Sequence, residues 1–203
     1  MTCVNLTEGL LGENGLNIDG LDVIIINNYN MANLSDNQYN SLNNWVNSGG
    51  TLLIGAGGNE SKTINNINKS FLNITSNGTS EQNVKTGSES LNLILSQITL
   101  EDSVVTVNSN ENELVYSLDR GAGKILITTF DLGLEPFISS NDAVIMLQNM
   151  LLETFDKIYE QNYQGGYYSG NYEINNILDN IPVENTVGTL TLGIILGIYA
   201  ILV

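Results

Sequence analysis

The chain has 203 residues, of which 42% are hydrophobic, and its 22 acidic and six basic side chains leave a net charge of −16. That length suits one ordinary domain with a real core, while six cations are too few to neutralise a phosphate backbone, which excludes nucleic-acid binding. Histidine is absent and Cys3 is the only cysteine, so the chain can assemble no intramolecular disulfide, no Cys/His zinc site and no histidine-based nucleophilic triad.

In chain order, "MTCVNLTEGL" has no basic region followed by a long apolar run, and no signal peptide is read there. "LDVIIINN" (21–28) is a continuous apolar run between polar turns, the pattern of a strand buried on both faces. "NLSDNQYNSLNNWVNSGG" follows. Ser35 with Gln38 makes a capping box, Tyr39, Leu42 and Trp45-Val46 recur at helical spacing, and Gly49-Gly50 ends the helix. "TLLIG" (51–55) is a second buried strand, so strand, helix and strand form a βαβ unit. Residues 60–90 are polar and rich in Ser, Asn and Gly, and are expected to form an irregular excursion. "LNLILSQITL" and "SVVTVNS" read as strands, and "ELVYSLDRGAGKILITTFDL" as a hairpin with a glycine-containing turn. Ser140 or Asn141 is expected to cap a last amphipathic helix reaching about Tyr159, with Val144, Leu147, Met150-Leu151, Phe155 and Ile158 turned inward.

Residues 161–186 read as a Tyr- and Gly-rich juxtamembrane linker. "VGTLTLGIILGIYAILV" (187–203) carries no charge and, at about 1.5 Å per residue, spans roughly 25 Å, so a transmembrane helix cut short is expected. Gly193 and Gly197 form a GxxxG within it that would let another helix pack closely. The lipid bilayer is therefore an expected partner, with protein partners in the membrane beside it. No Lys or Arg lies between Lys157 and this run, which favours an extracytoplasmic domain.

Three stretches offer candidate chemistry. In "TLLIGAGGNESKT" the residues Ala56 to Thr63 align with a phosphate-binding loop, but Ala56 and Ser61 replace both signature glycines and Glu60 brings negative charge towards a polyphosphate. "RGAGK" (120–124) precedes a strand, so no helix N-terminus awaits an anion there, and a hairpin turn explains it. "FDLGLEPF" (130–137) closes a strand at the edge where open α/β sheets bind ligands. Asp131 and Glu135 are carboxylates of the kind that hold a divalent cation, although a turn cap and a solvated side chain account for them more simply. The ligand-edge candidates are thus Gly55, Ala56, Gly57, Gly58, Asn59, Asp131 and Glu135.

"GLDVIIINNYNMANLSDNQYNSLNNWVNSGGTLLIGAG" resembles the first half of class I glutamine amidotransferase-like domains, and "GAGKILITTFDLGLEPF" resembles their closing hairpin. The likeness covers residues 18–160, and is strongest to non-catalytic versions in bacterial multi-pass membrane proteins. It implies a flavodoxin-like three-layer α/β sandwich with a mostly parallel central sheet and a C-terminal antiparallel hairpin, followed by a transmembrane helix. A first strand and helix would then be missing before Leu21 from a domain spanning residues 1–160. Catalytic members carry a Cys on a strand-to-helix elbow, activated by a His. The equivalent here, Gly55 to Gly58, has no Cys, and the chain has no His.

The expectation is a non-catalytic binding or scaffolding domain, without cofactor, in a bacterial cell membrane. The alternatives are a metal-dependent hydrolase built on Asp131, Glu135 or Glu60, and an accessory subunit of a membrane transporter.

Overall fold

The computed structural model describes residues 18, 20–109, 111–162, 177, 178, 180 and 181. The capping box forms as the sequence predicts. The Ser35 backbone N–H donates to Gln38 Oε1 at 2.8 Å and the Gln38 N–H donates to Ser35 Oγ at 3.3 Å, starting helix α1 (Asp36–Asn47). It joins β1 (Val23–Ile26) to β2 (Thr51–Gly55), which pair in parallel. The two glycines between them do different work. Gly49 takes a φ of +124°, while a Cβ on Gly50 would lie 2.3 Å from the Trp45 ring. The first supplies the left-handed residue of the helix stop, and the second makes room for the indole that packs back on it. Trp45 Nε1 then donates to Leu21 O at 2.8 Å, fixing the helix against the entry to β1.

Chain order continues with β3 (Ile74–Lys85), β4 (Ser90–Leu100), β5 (Val104–Ser109), β6 (Asn112–Arg120), β7 (Gly123–Thr128) and helix α2 (Asn141–Asn162). Five strands make the central sheet in the order β1-β2-β7-β6-β5. β7 is parallel to β2, while β6 is antiparallel to both its neighbours. Four of the five strands therefore run the same way. Alternation along the central strands feeds two cores. Leu52, Ile54, Ile125 and Ile127 face α1 through Tyr39, Leu42 and Val46, whereas Leu53 and Leu126 face α2 through Met146, Leu147 and Leu151. The chain is thus a mixed α/β protein with a mostly parallel sheet between two helical layers, and with the expected antiparallel hairpin in β6–β7. The glycine turn of that hairpin sits on the end of α1. Gly121 has φ +62° and Ala122 N–H donates to Asn47 O at 2.9 Å.

Residues 60–90 depart from the expected irregular excursion. β3 runs through twelve residues, ITSNGTSEQNVK, and pairs with β4 over its length, apart from a bulge between Ser76 and Thr79. Only Ile74 and Val84 in it are apolar. It carries no hydrophobic alternation to read, and its pairing with the Leu- and Ile-rich β4 makes it a strand. The hairpin crosses from one core to the other, because Val84, Leu91, Leu93 and Leu95 join the α2 side while Ile74, Ile98 and Leu100 join the α1 side. It straps the carboxyl edge of the central sheet.

The far ends lie partly or wholly outside the described residues. Among the described residues no helix is long and apolar enough to cross a membrane; the 187–203 run, with Gly193 and Gly197, falls outside them. Within the 161–186 stretch, Ile177, Leu178 and Ile181 are buried in the α2-side core. That part of the stretch is docked on the domain.

Candidate functional site

The carboxyl ends of β1, β2 and β7 bring together Asn27, the Gly55–Asn59 loop and Asp131. The segment Phe130–Phe137 is pinned by its two terminal aromatics, both buried in the α2-side core with ring centroids 4.7 Å apart. Between those anchors Asp131 turns inward and is 5% exposed, while Glu135 stays at the surface.

The Asp131 carboxylate is met by neutral donors. Asn27 Nδ2 donates to Oδ1 at 2.9 Å, Asn59 Nδ2 donates to Oδ2 at 2.8 Å, and the Gly133 backbone N–H donates to Oδ1 at 2.7 Å. The Asn27 amide is oriented in turn by the Leu132 N–H, which donates to its Oδ1 at 3.0 Å. The cluster therefore joins the ends of β1, β2 and β7 through one buried carboxylate.

Two glycines exist for this arrangement. A Cβ on Gly55 would fall 2.1 Å from Asn27 Oδ1. Gly57 has φ +66°, and a Cβ there would lie 2.6 Å from Asp131 N. The backbone N–H of Gly57 donates to Ser96 Oγ at 2.8 Å, and that hydroxyl donates back to Gly57 O at 3.2 Å. Ser96 N–H reaches Thr129 O at 2.7 Å. β4 is clamped across the loop by these bonds.

The phosphate-loop outline dissolves in this geometry. β2 leads into a 3-10 turn, Gly57–Asn59, and no α-helix follows to present its N-terminus. Lys62 Nζ donates to Asn28 Oδ1 at 2.9 Å, and Glu60 accepts from the Ser76 hydroxyl. The metal candidates do not converge. Glu135 accepts from the Ser139 hydroxyl at the surface, and among the described residues no group of three or more His, Cys, Asp or Glu side chains is placed to hold a metal ion.

The strapping hairpin leaves two openings. The first is a cleft of about 220 Å³ between the hairpin and the β7–α2 loop, with Gly58, Ile94, Asp131, Leu134 and Glu135 among its lining. It holds three of the sequence-predicted edge residues. Ala56, Gly57 and Asn59 are buried beneath it. The second opening, about 330 Å³, lies between β3–β4 and the β5–β6 end, with a polar lining that includes Gln97, Glu111 and Glu113. Tyr116 at its base donates to Ile98 O at 3.2 Å and to the Glu113 carboxylate. Burial first, and then that carboxylate, push the phenol well above its ordinary value and hold it protonated.

Sequence reading missed Asn27 and Ser96. The signal for Asn27 was a polar residue ending an apolar run at the ligand edge. For Ser96 it was the one hydroxyl breaking the apolar alternation of β4.

No protein-family model matches the chain, and no curated protein sequence matches it. Among solved structures, it is similar to Cytoplasmic Protein STM3548 from Salmonella typhimurium, at TM-score 0.51 and 18% identity over 67% of this chain and 72% of that one. It is also similar to the exo-beta-1,4-mannosidase Op5Man5 from Opitutaceae bacterium strain TAV5, at TM-score 0.44 and 15% identity over 73% of this chain and 26% of that one. A beta-galactosidase from Bacillus circulans sp. alkalophilus gives TM-score 0.42 and 12% identity over 66% and 23%. The chain spans about a quarter of the length of these glycosidases. The Salmonella likeness speaks for the fold alone, and the looser glycosidase superpositions carry no argument about activity.

The class I amidotransferase resemblance, and the flavodoxin-like family placement that came with it, are therefore corrected. None of the similar structures named above is described as an amidotransferase, and the one above TM-score 0.5 is the Salmonella cytoplasmic protein. The local reason is that β2 enters a 3-10 turn where the elbow's helix should begin. From Ala56 to Ala122 the chain builds a hairpin and two further strands before β7 returns beside β2. What the chain shares with the Salmonella protein is a fold, and no family is assigned by it.

Proposed function

We propose that this chain is a non-catalytic binding domain whose ligand edge is the hairpin-strapped cleft, carried in a bacterial membrane protein. One observation supports the first part above all. Asp131, the carboxylate buried deep in the edge among the described residues, has both oxygens engaged by Asn27, Asn59 and the Gly133 amide. A carboxylate committed to three internal donors is a structural tie, neither a free ligand for a cation nor a base within reach of a substrate proton. The uncharged 187–203 run supports the membrane part as a C-terminal transmembrane helix, with the domain on the extracytoplasmic side.

Thermal melting of the full chain in non-ionic detergent, with and without Ca²⁺, Mg²⁺ or Mn²⁺, tests the reading. The expected result is no selective stabilisation by any of the three. A rise in Tm with one ion that vanishes in Asp131→Ala would instead favour a metal-dependent hydrolase, since a ligand that binds only the folded state raises its stability. Protease accessibility of the domain in sealed cells tests the topology, and protection from added protease would place it inside.

A further inference from the structure

The occupant of the cleft can be taken further, on the footing of the binding-domain reading. We propose that the cleft between the β3–β4 hairpin and the β7–α2 loop receives a lysine or arginine side chain of a partner protein.

Size comes first. A volume of about 220 Å³ is below the ~300 Å³ at which small-molecule and cofactor pockets begin. It suits one long side chain. Chemistry comes next. The lining mixes the apolar Leu93, Ile94, Phe130 and Leu134 with Asn92 and the carboxylates of Glu81, Asp131 and Glu135, and no cationic residue lines the cleft. Aliphatic surface beside carboxylates complements a side chain with an aliphatic stem and a charged head.

The carboxylates come from separate elements. Glu81 on β3 stands directly across from Ile94 on β4 in the hairpin register, and Glu135 faces them from the β7–α2 loop. Neither carboxylate has an ion-pair partner among the described residues, where the Lys124–Glu153 pair is the salt bridge formed. Asp131 also lines the cleft, but its oxygens are taken by Asn27, Asn59 and Gly133.

Ile94 gives an independent sign. It is 47% exposed, and with Val104, Ile145 and Leu152 it is among the large hydrophobic side chains left exposed in the described residues. A large aliphatic side chain at the mouth of a cleft, between two carboxylates, is covered when a stem lies across it. The second opening also carries two carboxylates, Glu111 and Glu113, but no exposed large hydrophobic side chain lines it. Its lining is mainly amide and hydroxyl.

The test is zero-length carbodiimide coupling of the full chain, in non-ionic detergent, to a blocked hexapeptide of one lysine among alanines. The coupled carboxylates are mapped by mass spectrometry, and an arginine hexapeptide serves as uncoupled competitor. Coupling is expected to concentrate on Glu81 and Glu135 and to be suppressed by the arginine peptide. Glu81→Gln should lower the coupling at Glu135 by up to about fivefold, the upper end of what one exposed ion pair gives. Ile94→Asn should lower coupling at both positions, and Glu111→Gln in the second opening should leave it unchanged. Unchanged melting temperatures of the variants show that each is folded. Coupling spread over the surface acids in proportion to their exposure, or indifference to Ile94→Asn, or no competition by arginine, overturns the proposal. Those results leave the binding-domain reading standing, because that reading falls only to the metal-dependent stabilisation described above.

Discussion

Removing the Asp131 carboxylate is the sharpest test of the tie at the sheet edge. Asp131→Ala strands three donors, Asn27 Nδ2, Asn59 Nδ2 and the Gly133 N–H, that now lie 2.9, 2.8 and 2.7 Å from its oxygens. Each orphaned buried donor costs about 1–3 kcal/mol, and water entering the emptied space recovers part of that. The net loss is expected to be about 3–5 kcal/mol, a large share of the ~5–15 kcal/mol that holds a typical domain folded. Asp131→Asn is milder, at about 1–2 kcal/mol, because its carbonyl keeps the Oδ1 bonds and only the Asn59 contact turns donor against donor. Glu135→Ala, on the same loop but at the surface, should change stability by no more than about 0.5 kcal/mol. Urea unfolding followed by far-UV circular dichroism, in metal-free buffer, measures all three. With a slope near 2 kcal/mol/M, Asp131→Ala shifts the midpoint down by roughly 2 M. If Asp131→Ala matches the parent within about 0.5 kcal/mol, the tie does not hold the edge. A carboxylate kept for an external cation would behave that way in metal-free buffer.

Three further outcomes follow from the same geometry. Gly57→Ala must adopt φ +66° with its Cβ 2.6 Å from Asp131 N, and should cost about 2 kcal/mol or more by urea midpoint; Gly58→Ala, whose Cβ meets Leu134 Cδ1 at 3.7 Å, should stay within about 0.5 kcal/mol. Asp142, at the start of α2, accepts from the Glu89 N–H at 2.8 Å, Ser88 Oγ at 2.9 Å and Thr86 Oγ1 at 3.0 Å, and these bonds, the Glu89 amide first, hold its carboxyl below the usual range. Its contribution is therefore complete above the unfolded-state value of about 4 and is lost as pH falls through the lower folded-state value, so the midpoint gap between the parent and Asp142→Asn should narrow below about pH 4, and a gap constant from pH 7 to 2.5 refutes the assignment. A chain ending at Asn162 loses Ile177, Leu178 and Ile181 from the α2-side core and should be about 3–5 kcal/mol less stable by urea midpoint than one ending at Glu184; equal midpoints would mean that these side chains add nothing.

What the sequence disclosed, and what it withheld, follows from the range of the interactions. The Ser35–Gln38 capping box, the Gly49-Gly50 stop and the β6–β7 hairpin depend on residues a few positions apart, so their chemistry can be read along the chain. The 74–85 strand depends on a partner. Its polar side chains say nothing about pairing, and the stabilising apolar residues stand on β4. The Asp131 tie spans 104 residues to Asn27 and 72 to Asn59. No local rule joins residues that far apart. Asp131 itself was legible as a candidate at the ligand edge, but its direction was not. The burial of Phe130 and Phe137 turns the carboxylate inward, and an aromatic pair in a loop sequence does not announce which way the residue between them points.

The glycine-rich loop after β2 is where local and long-range information collide most directly. Glycines at such a turn are compatible with a phosphate cradle, a nucleophile elbow or a plain reversal, because each needs backbone close to something else. The difference lies in what approaches. Here Gly55 yields space to Asn27 Oδ1, and Gly57 yields it to the backbone of Asp131 and of Ile94. Both approaching groups belong to the chain itself. A loop whose open conformations are filled from within has no room left to cradle an external phosphate, so Gly55 and Gly57 serve the tie and Gly58 alone of the three faces the cleft. On the proposed binding reading, recognition at this edge falls to side chains around the cleft, which is why Glu81, Ile94 and Glu135 carry that proposal and the glycines do not.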